Sequence, residues 1–249
     1  MCGIIGYIGN NTAPKILTES LKKLEYRGYD STGIALLDNN SRLVIVKASG
    51  TVNNFKKKLD LNKLTGKIGI GHTRWATHGE PNNINAHPHT DCNNKISIVH
   101  NGIIENHQEI RHSLEKSGHK FLSQTDSECI SHLIEEYLNN NDDIEKAIRH
   151  TANTIQGANV VVIIHKEHPN KLFCFKVGSA GGLIIGNGNN EMFVSSDIPA
   201  IIPYTSTVTY LSTNEIAIIS SEKVEYKNLE GISITKKTNT IEINRDSIS

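Results

Sequence analysis

Two hydrophobic rhythms alternate along this chain, and the places where one gives way to the other mark its elements. Residues 3–8 form a continuous apolar, β-prone run that breaks at Gly9-Asn10-Asn11. Ile16, Leu17, Leu21 and Leu24 then recur at helical spacing. Thr12 or Asn11 can cap that segment and Pro14 suits its first turn, so a helix is predicted over about residues 14–26. Residues 33–37 and 43–46 read as two strands of a hairpin closed by Asp38-Asn39-Asn40-Ser41. Further strands are predicted at 67–71 and 95–99. Between them lies the polar stretch 73–94, and connections of that length are usually functional or disordered.

The middle of the chain is helical in pattern. One helix is predicted over 105–117, and a second starts at Thr125-Asp126-Ser127-Glu128, a capping-box sequence that places Asp126 in the first turn. Its apolar stripe is Cys129, Ile130, Leu133, Ile134 and Tyr137, and Asn139-Asn140-Asn141 ends it. A third helix is expected over 144–151. From Asn159 the period changes to β, with strands at 160–164, 172–175, 183–185, 192–194, 208–211 and 216–219. Helices between two groups of strands predict one α+β domain of layered sheets. The domain is expected to span 1–231, with 232–249 a C-terminal strand or the start of a linker.

Composition narrows the partners. Lys+Arg and Asp+Glu number 26 each, so the formal net charge is +0 and electrostatics gives no case for nucleic acid or an anionic membrane. The longest strong apolar run, 160–164, is far too short to span a bilayer. The first residues have no basic stretch, which disfavours a secretory signal, and Cys2 where myristoylation needs Gly disfavours that anchor. Cys2, Cys92, Cys129 and Cys174 are widely spread, so free thiols in a cytoplasmic protein are expected.

Cys2 carries the strongest chemical signal. Removal of Met1 would leave its thiol beside a free α-amine, which titrates near pH 8 (about 7.7–8.0) and can take the thiol proton. Gly3 allows the backbone there to approach a ligand closely. A buried structural cysteine at a strand start is the competing reading. The segment Gly71-His72-Thr73-Arg74-Trp75-Ala76-Thr77-His78-Gly79 offers a guanidinium fork for a carboxylate, with shorter donors beside it and glycines at both ends of a loop. On the residues alone, a surface loop with a structural Arg is the commoner outcome. His100-Asn101-Gly102 follows a strand, where an amide and a glycine N–H can form a two-donor oxyanion hole; Asn-Gly is also the commonest tight-turn pair, and from the residues alone a turn is the stronger reading. His87-Pro88-His89 with Cys92 has the look of a zinc cluster, but no C-x-x-C or H-x-x-x-H pair completes it, so no metal is expected. Gly186-Asn187-Gly188 reads as a hairpin turn, and Cys129 as core.

Taken together, CGIIGYIG at Cys2, LEYRGYDSTGIA at Leu24, GHTRWATHGEP at Gly71, NAHPH at Asn85, VHNGIIEN at Val99 and TDSE at Thr125 closely resemble the glutaminase domains of the glucosamine-6-phosphate synthase family. The likeness covers almost the whole chain, in family order. It implies an N-terminal-nucleophile hydrolase fold, a four-layer αββα sandwich of two antiparallel sheets covered by helices. It also implies hydrolysis of L-glutamine to glutamate and ammonia through a cysteine thioester, without a cofactor.

By the same resemblance Cys2 is the nucleophile, its α-amine the base, and Asn101 and Gly102 the oxyanion hole. Arg74 holds the α-carboxylate of glutamine and Asp126 its α-ammonium. Thr77 and His78 line the glutamine loop, Trp75 sits where ammonia leaves, Arg27 lies beside the nucleophile and His87 braces the site. Phosphoribosylpyrophosphate amidotransferases and asparagine synthetases share the N-terminal Cys, but Trp-Ala-Thr-His and EYRGYDS favour the sugar-phosphate branch. Thr32, Gln124 and an expanded Gly178-Ser179-Ala180-Gly181-Gly182 depart from the family pattern, none at a catalytic group. The family's sugar-isomerase half, which binds fructose 6-phosphate, has no counterpart in the 249 residues and is expected as a partner domain or subunit. The competing class is a non-catalytic module of the same fold that binds glutamine or a partner.

Overall fold

The computed structural model describes residues 2–76 and 79–242. The first half contains β1 (Gly3–Gly9), α1 (Ala13–Leu24), a 3₁₀ turn (Glu25–Arg27), β2 (Ser31–Leu37), β3 (Leu43–Ser49), α2 (Val52–Lys58), β4 (Ile68–Arg74), β5 (His89–Thr90) and β6 (Ile96–Gly102). Three helices follow: α3 (His107–Lys116), α4 (Glu128–Asn139) and α5 (Ile144–Thr154). The last group is β7 (Asn159–His165), β8 (Leu172–Val177), β9 (Ile184–Asn187), β10 (Glu191–Ser195), β11 (Thr207–Tyr210), β12 (Glu215–Ile219), β13 (Val224–Asn228), β14 (Ser233–Ile234) and β15 (Asn239–Thr240).

The strands form two antiparallel sheets. One has the order β15-β11-β9-β10-β1-β4-β2-β3, the other β14-β13-β12-β8-β7-β6-β5. Alternation along each strand sends its side chains to two different interfaces. From β1, Ile4 and Ile8 join Val160, Val162, Ile164, Leu172 and Cys174 between the sheets. Ile5 and Tyr7 point the other way and pack with Leu17, Leu21 and Leu24 of α1. On the far side, Val161 and Ile163 of β7 meet Ile130, Ile134 and Ile148 of α4 and α5. Both sheets are therefore buried on two faces, and the layers run helix, sheet, sheet, helix. Each enclosed aliphatic side chain is worth roughly 1.5–3 kcal/mol, more than a single helix cap at about 1 kcal/mol. That explains why α1 forms although the Thr12 side chain makes no capping bond.

Two expectations fail locally. The capping box does not form: α4 begins at Glu128, so Asp126 stands before the helix rather than in its first turn. The Glu128 carboxylate instead accepts the backbone N–H groups of Leu122 and Ser123 at 2.8 and 2.7 Å and the Ser123 hydroxyl at 2.6 Å. Second, β6 continues through His100, Asn101 and Gly102, which pair with Val161, Val160 and Asn159 of β7, so no turn interrupts them. The short α2, with only Val52 and Phe55 buried, carries too little apolar pattern to be legible in sequence.

The architecture brings three strand ends to one edge. In the antiparallel pairing of β1 with β4, Gly3 opposes Thr73, so Cys2 and Arg74 emerge side by side. The C-terminal end of β6, in the facing sheet, delivers Asn101 and Gly102 to the same place.

Candidate active site

A cavity of about 590 Å³ opens at that edge, within the range of about 300–1,000 Å³ usual for small-molecule sites. Cys2, Arg27, Arg74, Trp75, Asn101 and Asp126 all line it, as do His87 and Gly102. Seven of the residues singled out in the sequence for catalysis or glutamine binding, drawn from five segments, thus share one concavity. Thr77 and His78 lie outside the described residues.

The backbone N–H of Trp75 lies 3.2 Å from the Cys2 Sγ, and the thiol lies 3.5 Å from the Trp75 carbonyl. Burial pushes the Cys2 thiol up, against the opposing pull of the Trp75 N–H and the Arg74 guanidinium. The backbone of Cys2 is held as firmly as its side chain. Asn101 Nδ2 donates to the Cys2 carbonyl at 2.9 Å and Arg27 Nε at 3.2 Å. Arg27 in turn pairs with Asp197 at 2.7 Å, and the Tyr26 hydroxyl donates to the same carboxylate at 2.6 Å. Asp197 is 170 residues downstream, in a segment with no motif, so nothing in the sequence points to it.

Gly3 is required for packing: a Cβ there would sit 2.6 Å from Thr73 Oγ1 and 2.7 Å from the Leu24 Cβ. Gly102 has φ +147°, and a Cβ would come within 2.3 Å of the Ala158 carbonyl. Only glycine fits at that strand end.

Arg74 is the last residue of β4 and is buried. Its guanidinium donates to the Glu80 and Gly79 carbonyls, each at 3.3 Å, which ties the following loop down. Gly71 lies inside β4 and is not part of that loop. Asp126 is also buried; Oδ2 accepts the Ile104 N–H at 2.8 Å, which fixes the carboxylate at the cavity wall. A buried cation and a buried anion on one small cavity suit a zwitterionic ligand. Trp75 stands at the rim, 47% exposed, with its ring 5.6 Å from that of Tyr29.

Burial keeps the histidines at and behind the cavity wall neutral. His72 Nε2 lies 3.1 Å from both the His100 carbonyl and the Asn101 Oδ1, and burial pulls its pKa down to about 3. His87 is wedged between the rings of His72 at 4.1 Å and His89 at 4.6 Å, and burial holds it well below its ordinary value. Cys92 turns away from His87 and His89 and joins His119, His132 and Glu135, residues that do not line this cavity. Of the family departures, Gln124 exchanges two hydrogen bonds with Asn85 at 2.9 and 3.1 Å. Residues 179–182 line the same cavity as Cys2 and Arg74.

Comparison with known proteins gives a consistent picture. A family model described as a glutamine amidotransferase domain matches residues 72–203. The glutamine–fructose-6-phosphate aminotransferase (isomerizing) of Pyrococcus horikoshii is 48% identical over 229 residues, which is 92% of this chain and 38% of that protein. The enzyme of the same name from Clostridium acetobutylicum is 43% identical over 244 residues, 97% of this chain and 39% of that protein. The chain thus spans less than two fifths of the length of these relatives. Among solved structures, a glutamine phosphoribosylpyrophosphate amidotransferase from B. subtilis superposes with a TM-score of 0.80 at 25% identity, covering 92% of this chain and 49% of that one. A glutamine aminotransferase class-II domain protein from Silicibacter pomeroyi shares the fold, with a TM-score of 0.63 at 14% identity over 92% of this chain and 99% of that one.

Proposed function

This chain belongs to the glutamine amidotransferase domain family and is a glutamine-hydrolysing enzyme; from that premise we propose that Cys2 carries the hydrolysis and that the ammonia serves amino-sugar synthesis. The observation that carries this reading is the shared cavity in which the Cys2 thiol, the Arg74 guanidinium and the Asp126 carboxylate meet.

Glutamine lies with its α-carboxylate toward Arg74 and its α-ammonium toward Asp126, presenting the side-chain amide to Cys2 Sγ. Because burial pushes the thiol up, little thiolate exists at neutral pH and a base must stand close by. The α-amine freed by removal of Met1 is on the same residue and takes the proton. Sulfur bonds to the amide carbon, and the carbonyl oxygen becomes an oxyanion facing Asn101 and Gly102. Collapse breaks the C–N bond; the leaving nitrogen takes the proton held by the α-ammonium and departs as ammonia past Trp75. Water then attacks the γ-glutamyl thioester, gives its proton to the amine, and expels the thiolate as glutamate forms. Arg27, fixed by Asp197, holds the Cys2 backbone throughout.

The names and lengths of the relatives support the pathway: ammonia passes to a sugar-isomerase domain or subunit that binds fructose 6-phosphate. The test is an assay of the purified chain with glutamine and fructose 6-phosphate, with intact mass recorded alongside. Glutamate is expected from the Met1-free fraction, none from Cys2→Ala or Met1-retaining protein, and amino sugar only after an isomerase polypeptide is added. Glutamate formation by Cys2→Ala at the wild-type rate would remove Cys2 from the reaction. Normal activity of fully Met1-retaining protein would exclude the α-amine as base.

A further inference from the structure

The geometry points to a zinc site at Cys92, His119, His132 and Glu135, none of which lines the glutamine cavity. The four residues come from three segments: Cys92 just after β5, His119 just after α3, and His132 with Glu135 one turn apart on α4. Their potential ligand atoms all lie within 4.8 Å of one another. Cys92 Sγ is 3.6 Å from His132 Nδ1 and 3.9 Å from His119 Nδ1. Glu135 Oε2 is 2.9 Å from His119 Nδ1 and 3.2 Å from His132 Nδ1. Tetrahedral zinc, with its usual bond lengths, places such S, N and O atoms about 3.3–3.6 Å apart, and the observed separations bracket that spacing. One thiolate, one carboxylate and two neutral imidazoles also balance the charge of Zn²⁺.

The outer groups select the tautomers that ligation needs. His119 Nε2 lies 2.9 Å from the Glu136 carboxylate, and His132 Nε2 lies 3.6 Å from that of Glu128. A proton on His119 Nε2 is donated to Glu136, while at His132 the nearby Glu128 charge favours the proton on Nε2 without a hydrogen bond to it; both Nδ1 lone pairs then face inward. Two lone pairs, a thiol sulfur and a carboxylate oxygen then converge, an arrangement that a cation at the centre turns from repulsion into bonding. A carboxylate behind each ligating histidine is the common outer arrangement of zinc sites, worth about 10–100-fold in affinity. Two backbone contacts complete the shell: Lys120 N–H donates to Cys92 Sγ at 3.3 Å and Cys92 N–H to Glu135 Oε2 at 3.1 Å. His119, His132 and Glu135 are buried and Cys92 is exposed, so the site is walled by protein on three sides and open to metal on the fourth. Such a site clamps the start of the β5–β6 connection and the α3–α4 connection onto α4, the helix that follows Asp126. Its role is structural.

The test is metal content and spectroscopy on the full chain, with activity recorded only as a control. Protein produced with zinc in the medium and passed through gel filtration is expected to retain about one zinc per chain. Stripped protein titrated with Co²⁺ is expected to give tetrahedral d–d bands with a thiolate-to-cobalt charge-transfer band. Cys92→Ser, at an exposed position that leaves folding intact, is expected to lose the charge-transfer band and bind Zn²⁺ at least about tenfold more weakly; Glu136→Gln should weaken binding by a similar factor while keeping the band. Failure of stripped wild-type protein to bind equimolar Zn²⁺ would overturn the site. Octahedral cobalt spectra, or a charge-transfer band that survives in Cys92→Ser, would also overturn it.

Discussion

His72 Nε2 lies 3.1 Å from Asn101 Oδ1, and that contact decides which way the Asn101 amide faces. With its pKa near 3, the ring is neutral at any working pH and its Nε2–H is shared with the His100 carbonyl. Asn101 must therefore turn Nδ2 toward Cys2, where it donates to the carbonyl at 2.9 Å. Replacing His72 by Phe frees the amide to rotate. Turnover of glutamine is expected to fall by about 10–10²-fold, the size associated with misplacing a catalytic group by an ångström, with KM little changed. His72→Gln should recover part of the loss, because its amide can donate to the same oxygen. Equal turnover in wild type and His72→Phe would show that Asn101 is positioned by other means.

The buried neutral histidines predict how stability responds to acid. His72, His87 and His100 are all held below the ordinary histidine value by burial. Their unfolded forms take up protons as the pH drops below about 6.5, whereas the folded forms resist until far lower pH. The stabilising contribution is complete above that value and is lost as the pH falls from about 6.5 toward 3. For His72 the loss amounts to about 2 kcal/mol at pH 5. Urea midpoints should drop clearly between about pH 7.5 and 5, and less steeply in His72→Phe. A flat profile would mean that these rings are hydrated.

Arg74→Lys is expected to raise the KM for glutamine by roughly ten- to a hundredfold, since a charged bidentate hydrogen bond is worth about 1.5–3 kcal/mol and one ammonium cannot reproduce the fork. The substitution also loses the guanidinium's contacts to the Gly79 and Glu80 carbonyls, so the loop after β4 should become easier to cleave by protease. Steady-state kinetics and limited proteolysis check the two effects separately. An unchanged KM would move the carboxylate clamp elsewhere.

Gly102→Ala should destabilise the fold by about 1–3 kcal/mol, because φ +147° is strained for any L side chain and the Ala158 carbonyl blocks the Cβ. Thermal denaturation measures this directly. A Tm equal to wild type would mean that the end of β6 relaxes without cost.

The layered architecture was legible because apolar runs such as 160–164 are long and unbroken, and each is buried on two faces in the structure. The ends of elements were less so. TDSE has the letters of a capping box, yet the Glu128 carboxylate has stronger partners in the Leu122 and Ser123 N–H groups, and tertiary contacts displaced the local ones. Asn101-Gly102 has the letters of a turn, but pairing with β7 keeps it extended. In the site, residues inside recognisable segments were legible in the sequence. Those that act by holding others were not: Asp197 reaches Arg27 from 170 residues away, and His119 meets Glu135 only because α3 and α4 pack together. Spacing along a chain cannot report such contacts, since the distances that matter are made by folding.

The central claim, that Cys2 is the nucleophile of the glutamine cavity, is tested most directly by labelling. Met1-free protein is incubated with an electrophilic glutamine analogue, and the adduct is located by peptide mapping. The chain has three other free thiols, of which Cys129 and Cys174 are buried and Cys92 is exposed, so the outcome discriminates between sites. One adduct on Cys2, suppressed by L-glutamine and matched by loss of glutaminase activity, is the predicted result. Loss of activity with Cys2 unmodified and the adduct elsewhere would contradict the account.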